Sequence, residues 1–353
     1  ARAFYRKPQY GTVWDKETRM VSTNGGTAPF LVAGGGIGGL AAAYALAHQG
    51  FPVRVFEQSS EFREVGAGIQ LGPNVFRVLD KIGLKEALLG DCHLPPAQEM
   101  RDALNGKLIT RIPLGDEFMA RFGQPYAVTH RADIHAILLN ACLGNELITM
   151  ETSRRVDGFE ERGKGVVVTL ASGEEIEGRA LIGCDGMWSG VRERIVGDGK
   201  PRVSGHIAYR AVLKRAEVPA DLWRPDVVLW AGPRTHFVHY PLRRGELYNL
   251  VAVFHSDRYE EGWDAEGSKE LLWQHFKGQR RSEDRRAGKG GGGLCCGNPA
   301  AAAARRMARA SCSVTVKPPG GTGTCRRVSR RSRPATTGCW TRNRTAPRPT
   351  RRW

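Results

Sequence analysis

Gly34-Gly35-Gly36-Ile37-Gly38-Gly39 is a G-x-G-x-x-G run, and Glu57 follows 23 residues after its first glycine. Glycines at this spacing let backbone amides approach a diphosphate: Gly34 suits a tight turn, Gly36 the close approach itself, and Gly39 the packing of a helix onto a strand. A carboxylate at the position of Glu57, with Gln58 beside it, can hold the hydroxyls of a ribose, and it would repel a 2′-phosphate. The chemistry within reach is therefore dinucleotide binding, with FAD or NAD(H) as the ligand. Asp185-Gly186 closes a later apolar stretch and could reach the same dinucleotide, although alone it is only a turn.

For these residues to meet, the chain has to form a strand, a helix and a second strand in order. Phe30–Ala33 reads as the first strand, Leu40–Ala47 as helix, and Val53–Phe56 as the second strand after the Gly50 stop. Residues 64–74 form a second glycine-rich loop running into a helix over Val75–Ile82. His130-Arg131-Ala132-Asp133-Ile134-His135 opens another helix, with Ile134, Ile137, Leu138 and Cys142 on one face. Val166–Leu170 and Glu175–Glu177 flank a Ser172-Gly173 turn, and Ala180–Cys184 reads as a buried strand ending at Asp185. From Ser204 onward strands follow one another without helices, at Ile207–Leu213, Val227–Trp230, His236–Tyr240 and Leu247–Phe254. An antiparallel sheet of this kind has one face to pack and one face free for a substrate. The fold class is α/β, a Rossmann-like nucleotide-binding domain over 28–203 with an antiparallel-sheet domain over 204–277.

Charge divides the chain unevenly. Residues 280–353 carry 19 Lys and Arg against two acidic residues, the whole net charge of +17, so the preceding residues are neutral overall. This tail contains Gly290–Gly293, Ala300–Ala304 and scattered Arg, Pro, Thr and Ser, a composition that buries too little apolar surface to order itself. Three readings stay open: a nucleic-acid-binding arm, a tether to an acidic surface, or coding sequence translated out of frame, the last being preferred. The expected domain plan is an N-terminal extension over 1–27, the two domains above, and a disordered basic tail over 278–353. Five of the eight cysteines lie in the tail without zinc-ligand spacing, whereas Cys92, Cys142 and Cys184 sit in apolar contexts as expected thiols. No apolar stretch reaches membrane-span length and no leader-like core precedes residue 24, so a cytoplasmic location is expected.

Taken together, the segments resemble the single-component FAD-dependent aromatic hydroxylases over about residues 28 to 277. The likeness is carried by the glycine run through Leu40, Gly66–Asn74, His130–His135, Cys184–Ser189, Gly205–Arg210 and His236–Leu242. It implies FAD held by Gly34, Gly36, Ile37, Gly39 and Glu57 at its ADP half, Gly68, Ile69 and Gln70 along the isoalloxazine, and Arg131 at the ribityl or phosphate region. Asp185-Gly186 matches the motif linked to both FAD and NAD(P)H, with NADH as the expected co-substrate. The implied reaction hydroxylates a monohydroxybenzoate with molecular oxygen, and no nucleic acid is expected as a partner of the folded body. A homodimer is one option for the assembly.

In such chemistry a neutral histidine within reach of the substrate hydroxyl could serve as base, with Tyr and Arg to position hydroxyl and carboxylate. His206, Tyr209, Arg210, His239 and Tyr240 are the candidates, each with a plainer reading as sheet packing or a solvated charge. His236-x-x-His239 does not suggest a metal, because an offset of three on a strand sends side chains to opposite faces. The family's Gly-Asp-Ala-Ala-His-Pro-like segment has no counterpart in this sequence, and the likeness ends near Phe276–Arg280. A rival reading from another class is a nucleotide sensor whose arginine-rich tail grips nucleic acid.

Overall fold

The computed structural model describes residues 28–64, 66–201, 204–256 and 268–276. The expected N-terminal extension over 1–27 and basic tail over 278–353 lie outside the described residues. In chain order the elements are β1 (Phe30–Ala33), α1 (Ile37–His48), β2 (Val53–Phe56), β3 (Gly68–Leu71), α2 (Pro73–Lys81), α3 (Lys85–Asp91), β4 (Ala97–Asp102) and β5 (Leu108–Pro113). Then come α4 (Asp116–Phe122), β6 (Ala127–His130), α5 (Arg131–Leu143), β7 (Ile148–Glu151), β8 (Val156–Arg162), β9 (Gly165–Leu170), β10 (Glu175–Gly178), β11 (Ala180–Gly183) and α6 (Gly190–Val196). The chain continues through β12 (His206–Lys214), β13 (Val227–Gly232), β14 (Thr235–Leu242), β15 (Leu247–His255) and α7 (Lys269–Phe276).

β1 is short and buried, as an apolar run in a parallel sheet should be, and it lies between β2 and β11 in the order β11-β1-β2-β7. Parallel pairing sets Phe30 beside both Val53 and Ala180, so the carboxyl ends of β1, β2 and β11 share one edge. Leu40, Ala43 and Ala47 of α1 pack with Val32, Val53 and Val55 and with Ile134, Leu138 and Cys142 of α5. The β8–β10 sheet, whose β9–β10 turn places Gly173 at φ 84°, covers Leu31 and Phe56 from below through Val166, Val168 and Leu170.

The second sheet has the order β12-β15-β14-β13-β4-β5. β12, β15, β14 and β13 are antiparallel neighbours as expected, but β4 joins β13 in parallel and brings β5 with it. Thus strands from 97–113, inside the span expected for the first domain, complete the sheet of the second. One face buries Tyr209, Trp230, Phe237, Tyr248, Leu250 and Phe254 against Leu272 and Phe276 of α7. The other meets β6 at one end, where Val128 packs with Val227, Tyr240 and Leu242. The β14–β15 turn holds Arg243 and Arg244 in left-handed backbone, at φ 46° and 55°, while the Arg243 guanidinium forks onto Asp133 of α5 at 2.9 and 2.7 Å.

Candidate functional site

The turn after β1 is built as the spacing of its glycines requires. Gly34 lies at φ 104°, and a Cβ there would stand 2.3 Å from the Cys184 carbonyl oxygen at the end of β11. A Cβ on Gly39 would fall 1.8 Å from the Gly34 carbonyl oxygen, so α1 packs on β1 only with glycine at this point. Gly35 is constrained as well, by Phe62 at 2.4 Å, a requirement that the motif did not reveal. Gly36 and Gly38 have nothing within 4 Å of an added Cβ. The first turn of α1 carries no acid and no side-chain cap, so its amides lack side-chain partners among the described residues, a state suited to an anion.

Two carboxylates stand at the same sheet edge. Glu57 follows β2 and accepts the N–H of Gly35 at 2.8 Å and that of Ser59 at 2.8 Å, which fixes it against the glycine turn. Asp185 follows β11, where it accepts the Ser189 hydroxyl at 2.5 Å and the Val191 N–H at 3.2 Å. From below, the buried His135 Nε2 donates to the Gly35 carbonyl at 3.1 Å, a support the sequence reading did not assign. Ile37 is half-buried against the α1 core, whereas Gln58 is exposed.

Arg131 heads α5, where its Nε pairs with Glu64 at 2.8 Å, and its backbone N–H donates to Ala67. The strand that follows, β3, lies against the second sheet: the Gly68 N–H donates to Asn249 Oδ1 at 2.8 Å. Gln70 is exposed at this seam and accepts from the Tyr126 hydroxyl, which in turn accepts from Gln98 Nε2 at 2.6 Å. Tyr240 is hydrogen-bonded to Gln70, and burial raises its hydroxyl far above the ordinary tyrosine range. Burial likewise pushes Tyr126 up to about 12. Both phenols are therefore neutral donors near pH 7.

Strand alternation divides the five residues expected to act on substrate. Arg210, Val251 and Val238 are cross-strand neighbours, as are Val212, Asn249 and Tyr240, and the same face carries His206 and His236. Tyr209 and His239 point to the opposite face, into the core under α7. His239 is satisfied there, accepting from Trp230 Nε1 at 2.9 Å and lying 2.7 Å from the Tyr248 hydroxyl. Burial lowers its pKa to about 3, so it stays neutral, but it has no path to a ligand on the seam face. Tyr209 packs edge-on to Phe254 at 5.2 Å. The seam face thus keeps His206, Arg210 and Tyr240 and adds His236, whose pKa is lowered by burial and by nearby His206. Its signal was in the sequence: His236 and Tyr240, four apart on one strand, share a face.

The sequence from residue 27 to residue 284 matches the family described as FAD binding domain. The chain belongs to this family. The glycine turn, with open space at Gly36 and Gly38 and with Glu57 held beside it, is of the kind that suits a dinucleotide. Among curated proteins, the chain is 46% identical over 258 residues to 3-hydroxybenzoate 6-hydroxylase of Polaromonas naphthalenivorans, covering 73% of this chain and 64% of that protein. It is 45% identical over 248 residues to the protein of the same name from Klebsiella oxytoca, covering 70% and 62%. The chain therefore spans a little under two thirds of the length of these relatives. Among solved structures, 2-methyl-3-hydroxypyridine-5-carboxylic acid oxygenase superposes with a TM-score of 0.58 at 26% identity, over 71% of this chain and 65% of that one. Klebsiella pneumoniae HpxO, complexed with FAD and uric acid, shares the fold at a TM-score of 0.62 and 22% identity, over 73% and 64%. Among the described residues no helix is long and apolar enough to cross a membrane.

Proposed function

We propose that the chain is the FAD- and substrate-binding portion of a monooxygenase that hydroxylates a monohydroxybenzoate, 3-hydroxybenzoate to gentisate, with NADH and molecular oxygen. The observation that supports this reading is that the carboxyl edge of β1, β2 and β11 carries the glycine turn and Glu57, while Gly68 of β3 is bonded to the sheet face bearing Arg210, His236 and Tyr240. The names of the relatives support the substrate class.

Bound FAD would accept hydride and activate oxygen. The chain's own residues bind, orient and move protons. The α1 amides and Glu57 hold the diphosphate and adenosine ribose, Asp185 and Arg131 flank them, and Gly68, Ile69 and Gln70 line the ring. On the sheet face the Arg210 guanidinium, exposed at the rim, pairs with the substrate carboxylate. Tyr240 is a neutral phenol and donates its O–H to the substrate oxygen. His236 is neutral near pH 7 and accepts the proton of the ring hydroxyl, which makes the ring more electron-rich for attack. His206, exposed at the rim, is the second acceptor in reach of the same face.

The finer reading includes impaired cofactor retention, because the family match ends at residue 284 and the segment beyond is arginine-rich and unlike the family pattern. The decisive assay is NADH oxidation with 3-hydroxybenzoate, salicylate and 4-hydroxybenzoate in parallel, with product identification and FAD supplied in excess. Gentisate from the first substrate supports the reading. Catechol from salicylate would move it to salicylate 1-hydroxylase, and no stimulation by any of the three would refute the aromatic-acid assignment. Tight stoichiometric FAD in the purified chain would contradict the impairment.

A further inference from the structure

Gln70 is exposed at the seam, yet its carbonyl end is fully engaged. Its Oε1 accepts from the Tyr126 hydroxyl and from Gln98 Nε2, the latter at 3.4 Å. Gln98 Nε2 also donates to the Tyr126 oxygen at 2.6 Å, which turns the phenol's own proton onto Gln70. The three side chains close a triangle across three segments: Gln70 on β3, Tyr126 one residue before β6, and Gln98 on β4. Gln98 and Tyr126 are half-buried, whereas Gln70 is open to solvent. An amide oxygen has two lone pairs and its nitrogen two N–H groups. Both lone pairs of Gln70 are taken, and Tyr240, hydrogen-bonded to the same amide, uses at most one N–H. The group that Gln70 presents to the open side is therefore a donor.

We infer that Tyr126 and Gln98 are positioning residues: they pin the Gln70 carbonyl, so that this exposed side chain meets the bound flavin ring as an N–H donor to a ring carbonyl or ring nitrogen. This rests on the reading of β3 as the strand that lines the isoalloxazine. Without the triangle an exposed amide turns end for end at little cost, and its oxygen would face the ring's own acceptors in part of the population. Tyr126→Phe removes one donor to Oε1 and leaves the aromatic packing in place. Gln98→Glu is nearly the same shape and, as a carboxylate, takes the Tyr126 proton for itself, so Gln70 loses both donors at once.

The test compares wild type, Tyr126→Phe, Gln70→Leu and the double variant as full chains, with FAD titrated by flavin fluorescence, the absorption spectrum of the bound flavin recorded, and Tm measured without cofactor. Gln70→Leu is expected to lose about tenfold in FAD affinity, which is about 1.4 kcal/mol, and to shift the bound-flavin spectrum. Tyr126→Phe is expected to lose about three- to tenfold and to shift the spectrum the same way, with Tm little changed. The double variant should bind no more weakly than Gln70→Leu alone, because Tyr126 acts only through Gln70. Should Tyr126→Phe fail to fold, Gln98→Glu decides: it should show the same loss at about pH 8 and recover as the pH falls, since a protonated carboxyl again donates. Wild-type affinity and spectrum in either single variant, additive losses in the double variant, an affinity loss that only tracks a fall in Tm, or a pH-independent Gln98→Glu would overturn the inference while leaving the FAD assignment standing. Absence of FAD binding by wild type would instead sink the functional reading, and this inference with it.

Discussion

At Glu57 both carboxylate oxygens already accept a backbone N–H, so the group is held in register with the glycine turn before any ribose arrives. Glu57→Ala removes a charged acceptor worth about 1.5–3 kcal/mol, and FAD affinity should fall about 10- to 100-fold in a fluorescence titration. Unchanged affinity would show that the carboxylate plays no part. Tyr240 and His239 are adjacent, yet they do different things because adjacent strand residues face opposite ways. Tyr240→Phe deletes the donor on the seam face and should lower kcat/KM for the aromatic acid by about tenfold or more at unchanged Tm. His239 is a pH liability of the fold. Its pKa in the folded chain, about 3, lies below the ordinary histidine value. Stability is therefore fully present above pH 6.5 and drains away as the pH falls from there toward 3, where burying a charged ring is required. The urea midpoint should drop between pH 7 and 4, and more shallowly in His239→Gln; equal slopes would contradict this assignment.

Helix α1 and strand β1 meet where two glycines have opposite surroundings. Gly39→Ala would force a Cβ to 1.8 Å from the Gly34 carbonyl and should destabilise the fold by about 3 kcal/mol, a Tm loss of about 6–12 °C. Gly38→Ala enters open space within a helix and should raise the Tm of the cofactor-free chain slightly. A calorimetric scan of the two variants checks the pair, and equal losses would contradict the packing described. β1 and β2 were legible to the residue, because a buried four-residue run between a glycine turn and a Gly-Phe-Pro break leaves little freedom. The places of the glycine turn, Glu57 and Asp185 at the ends of β1, β2 and β11 were legible for the same reason. β4 and β5 were not: four of the six residues of Ala97–Asp102 are polar and Leu108–Pro113 is exposed throughout, so neither shows the alternation of a half-buried strand. The split of Tyr209 and His239 from Arg210 and Tyr240 was written in the strand period, but likeness to a motif had grouped neighbours that alternation separates. His135 and Asn249 carried no local signal, since what they hold lies 100 and 181 residues away.

Over the whole molecule, the folded body is close to neutral and the positive charge sits in residues 280–353. Binding to heparin should therefore weaken steeply with salt and vanish when residues 278–353 are removed, while FAD affinity stays the same. A chain that still bound heparin after the removal would contradict the placing of polyanion binding in residues 278–353. The β3–β6 pair meets the second sheet at Gly68, Tyr240 and Asn249, and Arg243 on Asp133 ties the β14–β15 turn to α5. The claim on which the rest depends is that the amides opening α1 receive the diphosphate of FAD. It is tested most directly by titrating FAD into the wild-type chain and into Gly36→Val, whose side chain would fill the open space before those amides. Saturable binding by wild type and a loss of about 100-fold or more in the variant is the expected result; equal binding by both, or none by wild type, would contradict it.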